Sequence, residues 1–349
     1  MRRDDVRSRA KPSSLGRSGV SAAERRQVEA IRGVNYLPSN AVNPTQMWLE
    51  FDAATIEREL GFAEDLGLNS IRVFFQFVAY EHDAAGFTDR FEALLELAGG
   101  HGLSVMPVLF DDCWLPEPSL GEQALKPRLG LHNPYWQRSP GERRMGLDFR
   151  PELRRYVEDL LGRFGRDERI IAWDLYNEPQ ARDSSVALVR DVFAWARRIA
   201  PSQSLTACWY GALVSDITSI HFYLSPTRQP DEAQRLIESA KSFSRPVVAT
   251  EALGRPNHGE LQEILPLFSE HGIGWYLWEL MIGADQTRYQ WPDSPPAVDD
   301  IVFQGLLYPD GTPYRGDEAQ LIRAQASKNS GSRSTLRRRP LSKGTSLRP

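Results

Sequence analysis

Two glutamates lie at the ends of separate apolar runs, where they could act as a pair. Glu178 stands in Asn177-Glu178-Pro179, so an aromatic and β-branched run breaks on proline directly after the carboxylate. Glu251 ends a second run, which begins at Pro246. Such runs are typical of buried strands. Two carboxyls about 5 to 5.5 Å apart are what retaining hydrolysis of a glycosidic bond requires. The pattern therefore predicts Glu178 and Glu251 as catalytic carboxyls.

Four further polar side chains stand where they could assist this pair. Arg72 interrupts a hydrophobic run, and a buried guanidinium there would keep one glutamate ionised. His221 and Tyr223 end another apolar run, and they could orient that carboxylate and tune the proton donor. Asn177 could bind the sugar 2-hydroxyl, a contact that strengthens in the transition state. Structural roles stay open, because Arg72 could pair with Glu57 and His221 could be a satisfied core histidine.

Aromatic and polar residues at other strand ends could contact a sugar. A tryptophan face can stack on a sugar ring, which makes Trp278 a candidate and Trp114 and Trp209 further platforms. Packing is an equally open interpretation for Trp114 and Trp209. The polar candidates are Asn35, Asp111, Asp112 and Glu279. Asp111 and Asp112 could instead only cap a loop, and Glu279 could belong only to the barrel rim.

Elements of regular structure must carry these side chains to one place. Eight apolar runs alternate with segments whose apolar residues recur at three- and four-residue spacing, which predicts strands and helices in turn. The runs are continuously apolar, as expected for strands with both faces buried. The predicted strands cover 31–37, 70–75, 104–110, 170–176, 204–209, 217–223, 246–251 and 274–280.

This alternation predicts an α/β fold, a (β/α)8 TIM barrel in a single domain. Strands four and seven would lie across the barrel from one another, so their terminal glutamates would face each other over a cleft. The segment 210–216, between the fifth and sixth strands, shows no clear helix. We predict the barrel over 31–323, after a flexible polar lead-in (1–30) and before a disordered basic tail (324–349).

Charge and composition exclude several classes of function. The net charge is −4, but both ends are basic, so the body carries a charge near −15. An acidic body argues against nucleic acid as a partner. The sequence has no run of about 18 apolar residues, so we expect no membrane partner. It also has no apolar stretch near the start of the length that a signal peptide needs. We expect a cytoplasmic protein, or a secreted one if the start of the sequence is wrong. Oligomeric state is not predicted.

Together these motifs resemble a clan A glycoside hydrolase, closest to family 5, the cellulase-like family. They are "NEP" at 177–179, the arginine of the second strand, "HFY" at 221–223, "ATE" at 249–251 and "YLWE" at 276–279, in the family's order. The resemblance implies Glu178 as acid/base and Glu251 as nucleophile. Its supporting residues would be Arg72, Asn177, His221, Tyr223 and Trp278. The family often has a histidine after the third strand, where this chain has "FDDCW".

The predicted function is retaining hydrolysis of a β-linked glucan, mannan or xylan, or of oligosaccharides derived from them. A non-catalytic carbohydrate-binding barrel is one alternative. A metal-dependent hydrolase is another, but it needs several His or Asp ligands at strand ends. Of six histidines, only His221 stands near one. No cofactor and no metal are predicted, and the two cysteines, Cys113 and Cys208, cannot form a disulfide framework.

Overall fold

A computed structural model describes residues 19–123, 126–292, 294 and 301–330, and it confirms the predicted (β/α)8 barrel. All paired strands but the seventh are shorter than the apolar runs that predicted them, because pairing ends where the chain turns into the barrel mouth while its side chains stay buried. The strands are β1 (Arg32–Asn35), β2 (Ser70–Phe74), β3 (Ser104–Val108), β4 (Ala172–Asp174), β5 (Ser204–Thr206), β6 (Thr218–Phe222), β7 (Val247–Ala252) and β8 (Gly274–Leu277).

The sheet runs β5-β4-β3-β2-β1-β8-β7-β6, with every recorded ladder parallel. Among the described residues, no ladder joins β5 to β6. The seam between these two strands is held by a hydrogen bond from the Asp216 amide to the Leu205 carbonyl (2.7 Å) and by polar side chains. The Asp216 carboxylate accepts from the Leu205 amide (3.0 Å), and the Thr206 hydroxyl donates to the Ile217 carbonyl (2.9 Å). One main-chain bond and two side-chain bonds therefore close the barrel at this edge.

Helices cover the outside of the sheet. Two of those within the predicted barrel bounds of 31–323, α2 and α4, were not predicted. Each has six residues, and most of their side chains are buried on all sides, so neither shows a one-faced apolar stripe. The helices are α1 (Ala22–Glu29), α2 (Pro44–Leu49), α3 (Ala53–Asp65), α4 (Phe77–His82), α5 (Ala84–Gly100), α6 (Arg150–Phe164), α7 (Asp183–Ile199), α8 (Pro230–Lys241), α9 (Leu261–His271) and α10 (Gly316–Ser330). In place of a helix after β5 there is one 3₁₀ turn, Trp209–Leu213.

Apolar side chains fill the end of the barrel at which the strands begin. The Tyr276 ring crosses this interior, and its hydroxyl hydrogen-bonds the Ser70 hydroxyl (2.7 Å). A Cβ on Gly33 would lie 2.4 Å from the Tyr276 ring, so only glycine fits there. The buried residues of this plug are Val28, Ile31, Met106, Ala172, Ile217, Val248 and Tyr276. The plug leaves the opposite end of the barrel, where the strands finish, for the polar side chains.

The structured part extends beyond the predicted bounds of 31–323 at both ends. Helix α1 lies within the predicted lead-in. Ser21 caps it by accepting from the Glu24 amide (3.1 Å), while the Glu24 carboxylate accepts from the Ser21 amide (2.9 Å). Helix α10 continues to Ser330. The remaining parts of the predicted tails, 1–18 and 331–349, lie outside the described residues. Across the described part of the chain, no helix is both long and apolar enough to cross a membrane.

Candidate active site

The two glutamates meet at the mouth of the barrel. Glu178 follows β4 with a backbone φ of +43°, and Glu251 is the fifth residue of β7. One carboxylate oxygen of each, together with a ring nitrogen of His221, lie within 4.8 Å of one another. A positive φ costs a residue with a side chain about 1–3 kcal/mol, and such conformations concentrate at functional sites. The backbone at Glu178 therefore holds its carboxylate over the barrel at a cost in stability.

Arg72 is the hub of the site. Its guanidinium is fully buried and donates to the Glu251 carboxylate (2.9 Å) and twice to the Asp174 carboxylate (3.0 and 2.8 Å). It also donates to the amide oxygens of Asn35 (2.8 Å) and Asn177 (2.7 Å). Burial opposes its charge, but Asp174 and Glu251 reverse this effect and raise the pKa of Arg72 above its usual value. Arg72 therefore remains a cation beneath the glutamate pair.

The alternative partner for Arg72, Glu57, is excluded. The Glu57 side chain is half exposed and pairs with His101 (3.3 Å). The true structural partner is Asp174, the last residue of β4, which the sequence analysis missed. An acid within "IAWDLY" was the available signal, since an isolated carboxylate inside an apolar strand requires a partner. Burial raises the pKa of Asp174, and Arg72 opposes that rise.

His221 lies between the two glutamates. Its Nδ1 is 2.6 Å from Glu178 Oε1 and 3.4 Å from Glu251 Oε2. Burial disfavours the imidazolium, but the adjacent Glu251 carboxylate, Cys208 and Glu178 outweigh burial and raise the pKa of His221 well above its usual value. The ring is therefore protonated near neutral pH. It is a charged participant in the site and not a neutral core histidine.

The two carboxyls have different surroundings. Burial acts to raise the pKa of Glu178, but the His221 hydrogen bond and charge outweigh burial and lower it below its usual value. Burial raises the pKa of Glu251, against the opposing charges of His221 and Arg72. The Tyr223 hydroxyl donates to the second oxygen of Glu251 (2.9 Å). Glu251 is thus held by Arg72 and Tyr223, whereas the nearest donor to Glu178 is the His221 imidazolium.

Both cysteines contact Glu178. The Cys113 thiol donates to Glu178 Oε2 (3.1 Å), and burial together with nearby acids raises the pKa of this thiol well above its usual value. Cys208 Sγ accepts from the Glu178 amide (3.1 Å). Cys113 belongs to "FDDCW", the segment in which the family often has a histidine. A protonated thiol therefore stands beside the proposed acid/base residue.

The carboxylates of Asp111 and Asp112 accept hydrogen bonds from other groups of the protein. Asp111 accepts from the Asn177 side chain (2.9 Å), the Trp136 ring (2.6 Å) and the Cys113 amide (3.1 Å). Burial raises the pKa of Asp111 to about 7. The fully buried Asp112 borders the cavity, but its carboxylate accepts from the Tyr176 and Ser185 hydroxyls and the Gln180 amide. These bonds position the strand ends, and contact between Asp112 and a substrate stays a prediction.

Asn35 and Glu279 also form their hydrogen bonds with groups of the protein. The Asn35 side chain accepts from Arg72 and donates to the Thr250 carbonyl (3.0 Å), so it holds the hub in place. Glu279 is buried and accepts from the Thr287 hydroxyl (2.5 Å). Burial and the neighbouring acid Asp285 raise the pKa of Glu279 well above its usual value. Neither side chain is among the residues that line the cavity, and their contact with a substrate stays a prediction.

The glutamate pair opens into a cavity of about 590 Å³, a size usual for small-molecule sites. The predicted residues Trp114 and Trp278 border it, whereas the half-exposed Trp209 stands outside its lining. The sequence analysis missed several further lining side chains, because they lie in loops whose burial no periodic pattern reports. These are His132, Asn133, Trp136, Arg138, His258, Trp291 and Gln304.

A metal ion is the alternative use of this cluster. Glu178, His221 and Glu251 are the one group of three metal-ligating side chains found among the described residues. Ligands about 2.0 Å from a zinc ion stand roughly 3.3 Å apart. His221 Nδ1 and Glu178 Oε1 are instead 2.6 Å apart, which is a hydrogen-bond distance. Arg72 and the protonated His221 already supply positive charge to both carboxylates. The cluster therefore favours proton chemistry over metal binding.

Solved structures share this fold. A GH5_18 protein from Streptomyces cattleya, in complex with Manβ1-4GlcNAc, is 17% identical over 88% of this chain and 82% of its own, with a TM-score of 0.60. A glycoside hydrolase family 5 mannosidase from Rhizomucor miehei is 14% identical over 86% and 93%, with a TM-score of 0.55. The endo-β-1,4-mannanase from Thermotoga petrophila is 16% identical over 88% and 78%, with a TM-score of 0.53. No protein-family model and no curated protein matches the chain.

Proposed function

We propose that this protein is a retaining β-glycoside hydrolase of the family 5 type, in which Glu251 is the nucleophile and Glu178 the acid/base residue. One observation carries the proposal: an oxygen of each glutamate lies within 4.8 Å of the other, above a buried arginine. Retaining enzymes place their carboxyls about 5–5.5 Å apart, and inverting enzymes about 6.5–9.5 Å apart to admit a water molecule. The short separation supports double displacement.

The partners of each glutamate support the division of roles. Glu251 receives Arg72 and Tyr223, whose protons stay in place near neutral pH, and these donors favour an ionised nucleophile. Glu178 receives a hydrogen bond from His221, which can exchange a proton with it, and one from the Cys113 thiol, which keeps its proton. An acid/base residue must gain and lose a proton in each cycle, so a titratable neighbour suits Glu178.

In the first step, a Glu251 oxygen attacks the anomeric carbon as the glycosidic C–O bond breaks, and the leaving oxygen takes the proton of Glu178. We propose that His221 supplies this proton through the 2.6 Å hydrogen bond between its Nδ1 and Glu178 Oε1. In the second step Glu178 takes a proton from water, and the resulting hydroxide displaces Glu251 from the sugar. The proposed partner of the 2-hydroxyl is Asn177, which is fixed between Arg72 and Asp111.

The substrate class rests on structural similarity. The three solved structures named above are described as bound to a mannoside, as a mannosidase and as a mannanase. Within the predicted range of β-linked glucan, mannan and xylan, we therefore propose β-mannosides as the first candidates. Trp278, at the cavity wall, offers a ring on which a sugar can stack.

The test is hydrolysis of 4-nitrophenyl and 2,4-dinitrophenyl β-mannoside, β-glucoside and β-xyloside by the wild type and by Glu251→Ala, Glu178→Ala and Glu238→Ala. Glu238 is an exposed glutamate of α8 and serves as the matched control. We expect Glu178→Ala to lose about 10²–10⁴-fold on the nitrophenyl glycoside and far less on the dinitrophenyl glycoside, whose leaving group needs no proton. Azide should restore turnover to Glu251→Ala by forming a glycosyl azide.

Full activity of Glu251→Ala without azide would contradict the proposed nucleophile. Loss of activity on treatment with a chelator, restored by zinc, would instead favour the metal-dependent alternative. Sugar binding by a wild-type protein that hydrolyses none of these glycosides would favour a binding barrel.

A further inference from the structure

Two loops meet across the barrel mouth and close one end of the cavity. The first, after β3, covers 109–149 with 124–125 outside the described residues, and the second follows β8, with 293 and 295–300 outside the described residues. Gln286 of the second loop holds the first by three hydrogen bonds. Its Oε1 accepts from the Arg128 amide (2.7 Å), and its Nε2 donates to the carbonyls of Arg128 (2.8 Å) and Leu131 (3.0 Å). We call these contacts, together with those of His132, the bridge.

His132 completes the bridge. Burial lowers the pKa of His132 to about 4, so the ring is neutral at physiological pH. Its Nδ1 lies 2.6 Å from the Tyr289 carbonyl and donates to it. The ring also packs against Trp114 (5.3 Å between centroids) and Phe303 (5.7 Å). The first loop is therefore fixed to the second by both polar and aromatic contacts.

The bridge is continuous with an aromatic wall on both sides. On one side Trp291 packs on Tyr223, the residue that donates to Glu251, with centroids 4.9 Å apart. On the other side Trp136 packs on Trp278 (5.7 Å) and on Phe74 (5.0 Å). Among the described residues, this wall runs from the β3 loop past the end of β8 to the end of β6.

The opposite side of the site is open. There the 3₁₀ turn after β5 takes the place of a helix, and it exposes 46% of Trp209, 46% of Tyr210 and 69% of Leu213. This turn adjoins the proposed acid/base residue, because the sulfur of Cys208, directly before the turn, accepts a hydrogen bond from the Glu178 amide. The leaving group must lie on the side of the residue that protonates it. The open, aromatic side is therefore the side of the leaving group.

We propose, resting on the proposed function, that this protein acts from chain ends: the walled end of the cavity holds one non-reducing terminal sugar, and the rest of the substrate departs over Trp209. A glycan with further sugars attached to that terminal residue would meet the bridge. The substrate class is therefore a β-linked disaccharide or the free non-reducing end of a longer β-linked chain.

The test compares β-1,4-linked mannohexaose, cellohexaose and xylohexaose, each with a free and with a chemically blocked non-reducing end and each labelled at the reducing end. We expect the wild type to release single sugars from a free-ended hexaose, leaving the labelled pentaose as the first product, and to leave the blocked form intact. Early release of several labelled lengths from both forms would overturn action from chain ends while leaving the glycosidase intact. Absence of hydrolysis here and with every aryl glycoside would overturn the proposed function itself.

Gln286→Ala tests the bridge directly, because Gln286 is not among the residues that line the cavity. Gln262→Ala, an exposed glutamine on α9, is the control. We expect Gln286→Ala to gain measurable internal cleavage of the blocked hexaose and the control to gain none. A folded Gln286→Ala protein that still leaves the blocked form intact would contradict the role of the bridge. The wild-type product pattern decides the proposal even if this variant does not fold.

Discussion

His221 is the side chain on which the proposed chemistry most depends. It lies 2.6 Å from the acid/base candidate and 3.4 Å from the nucleophile candidate, and it stands with them above Arg72. In this position a protonated imidazole lowers the pKa of Glu178 and opposes the rise that burial imposes on the pKa of Glu251. The resting proton therefore resides on His221, and it must pass to Glu178 before the leaving group can depart.

This proton sharing predicts the pH dependence of activity. Because the pKa of His221 is raised well above 6.5, we expect wild-type kcat/KM to persist above that pH and to fall as the ring loses its proton. In His221→Asn, Glu178 must hold the proton alone. We expect activity to fall by about 10²–10⁴-fold and the alkaline limb of the pH profile to move to lower pH.

The measurement is kcat/KM against pH for the wild type, His221→Asn and His101→Asn. His101 lies on the outside of the barrel, paired with glutamates of α3, and provides the control. An unchanged alkaline limb in His221→Asn would show that another group holds the proton.

At the scale of elements, helix α10 is tied to the barrel by a buried ion pair. The Arg255 guanidinium, in the loop after β7, donates to Glu318 Oε1 (2.8 Å) and Oε2 (2.5 Å), and both side chains are buried. Arg255 also donates to the carbonyls of Val302 and Phe303, which follow the β8 loop. One charged pair thus links the last helix to the loops that wall the cavity.

Removing one partner should leave the other charge buried without compensation. We expect Glu318→Gln to lower the free energy of unfolding by about 3–5 kcal/mol, because Arg255 has no access to water. Asp317→Asn, an exposed neighbour on the same helix, should change it by less than about 0.5 kcal/mol. Urea denaturation of both variants measures these values. Equal stabilities of Glu318→Gln and the wild type would show that the pair contributes no net stability.

At the scale of the whole molecule, the barrel has one weak edge. Seven neighbouring strand pairs form ladders, but β5 and β6 are joined through Asp216, Ser215 and Thr206. Asp216 is fixed in turn by Arg197 of α7 (3.0 Å). The same edge bears the short 3₁₀ turn and the proposed exit for the leaving group. The molecule is thus most open where the proposed function requires a path to solvent.

This edge should open before the rest of the barrel. We expect amides of 204–207 and 214–218 to exchange hydrogen faster than those of 70–74 and 104–108, which lie in the β2–β3 ladder. Asp216→Asn should speed exchange at the edge by about tenfold for each 1.4 kcal/mol by which it lowers the free energy of local opening, with little change in the β2–β3 ladder. Hydrogen–deuterium exchange with mass spectrometry measures this. Uniform exchange across all four segments would contradict a weak edge.

The sequence by itself determined the barrel and the central residues of the candidate site. Eight apolar runs and the helices between them predict the fold. A strand buried on both faces is continuously apolar whichever residues pack against it, so its sequence alone reveals it. Burying a polar or charged side chain is costly unless it is paired, so such a side chain within or at the end of a buried strand indicates a partner or a function. This argument identified Glu178, Glu251, Arg72 and His221.

Only the tertiary structure decided which polar groups face the cavity and which face the protein. Asn35, Asp112 and Glu279 occupy strand ends as Glu178 does, but their oxygens are taken by donors that lie far away in the sequence. The bridge joins Gln286 to Arg128, 158 residues apart, through main-chain groups that carry no sequence signal. The physical reason is that local pattern reports burial, whereas the pairing of hydrogen-bonding groups depends on where the loops meet in space.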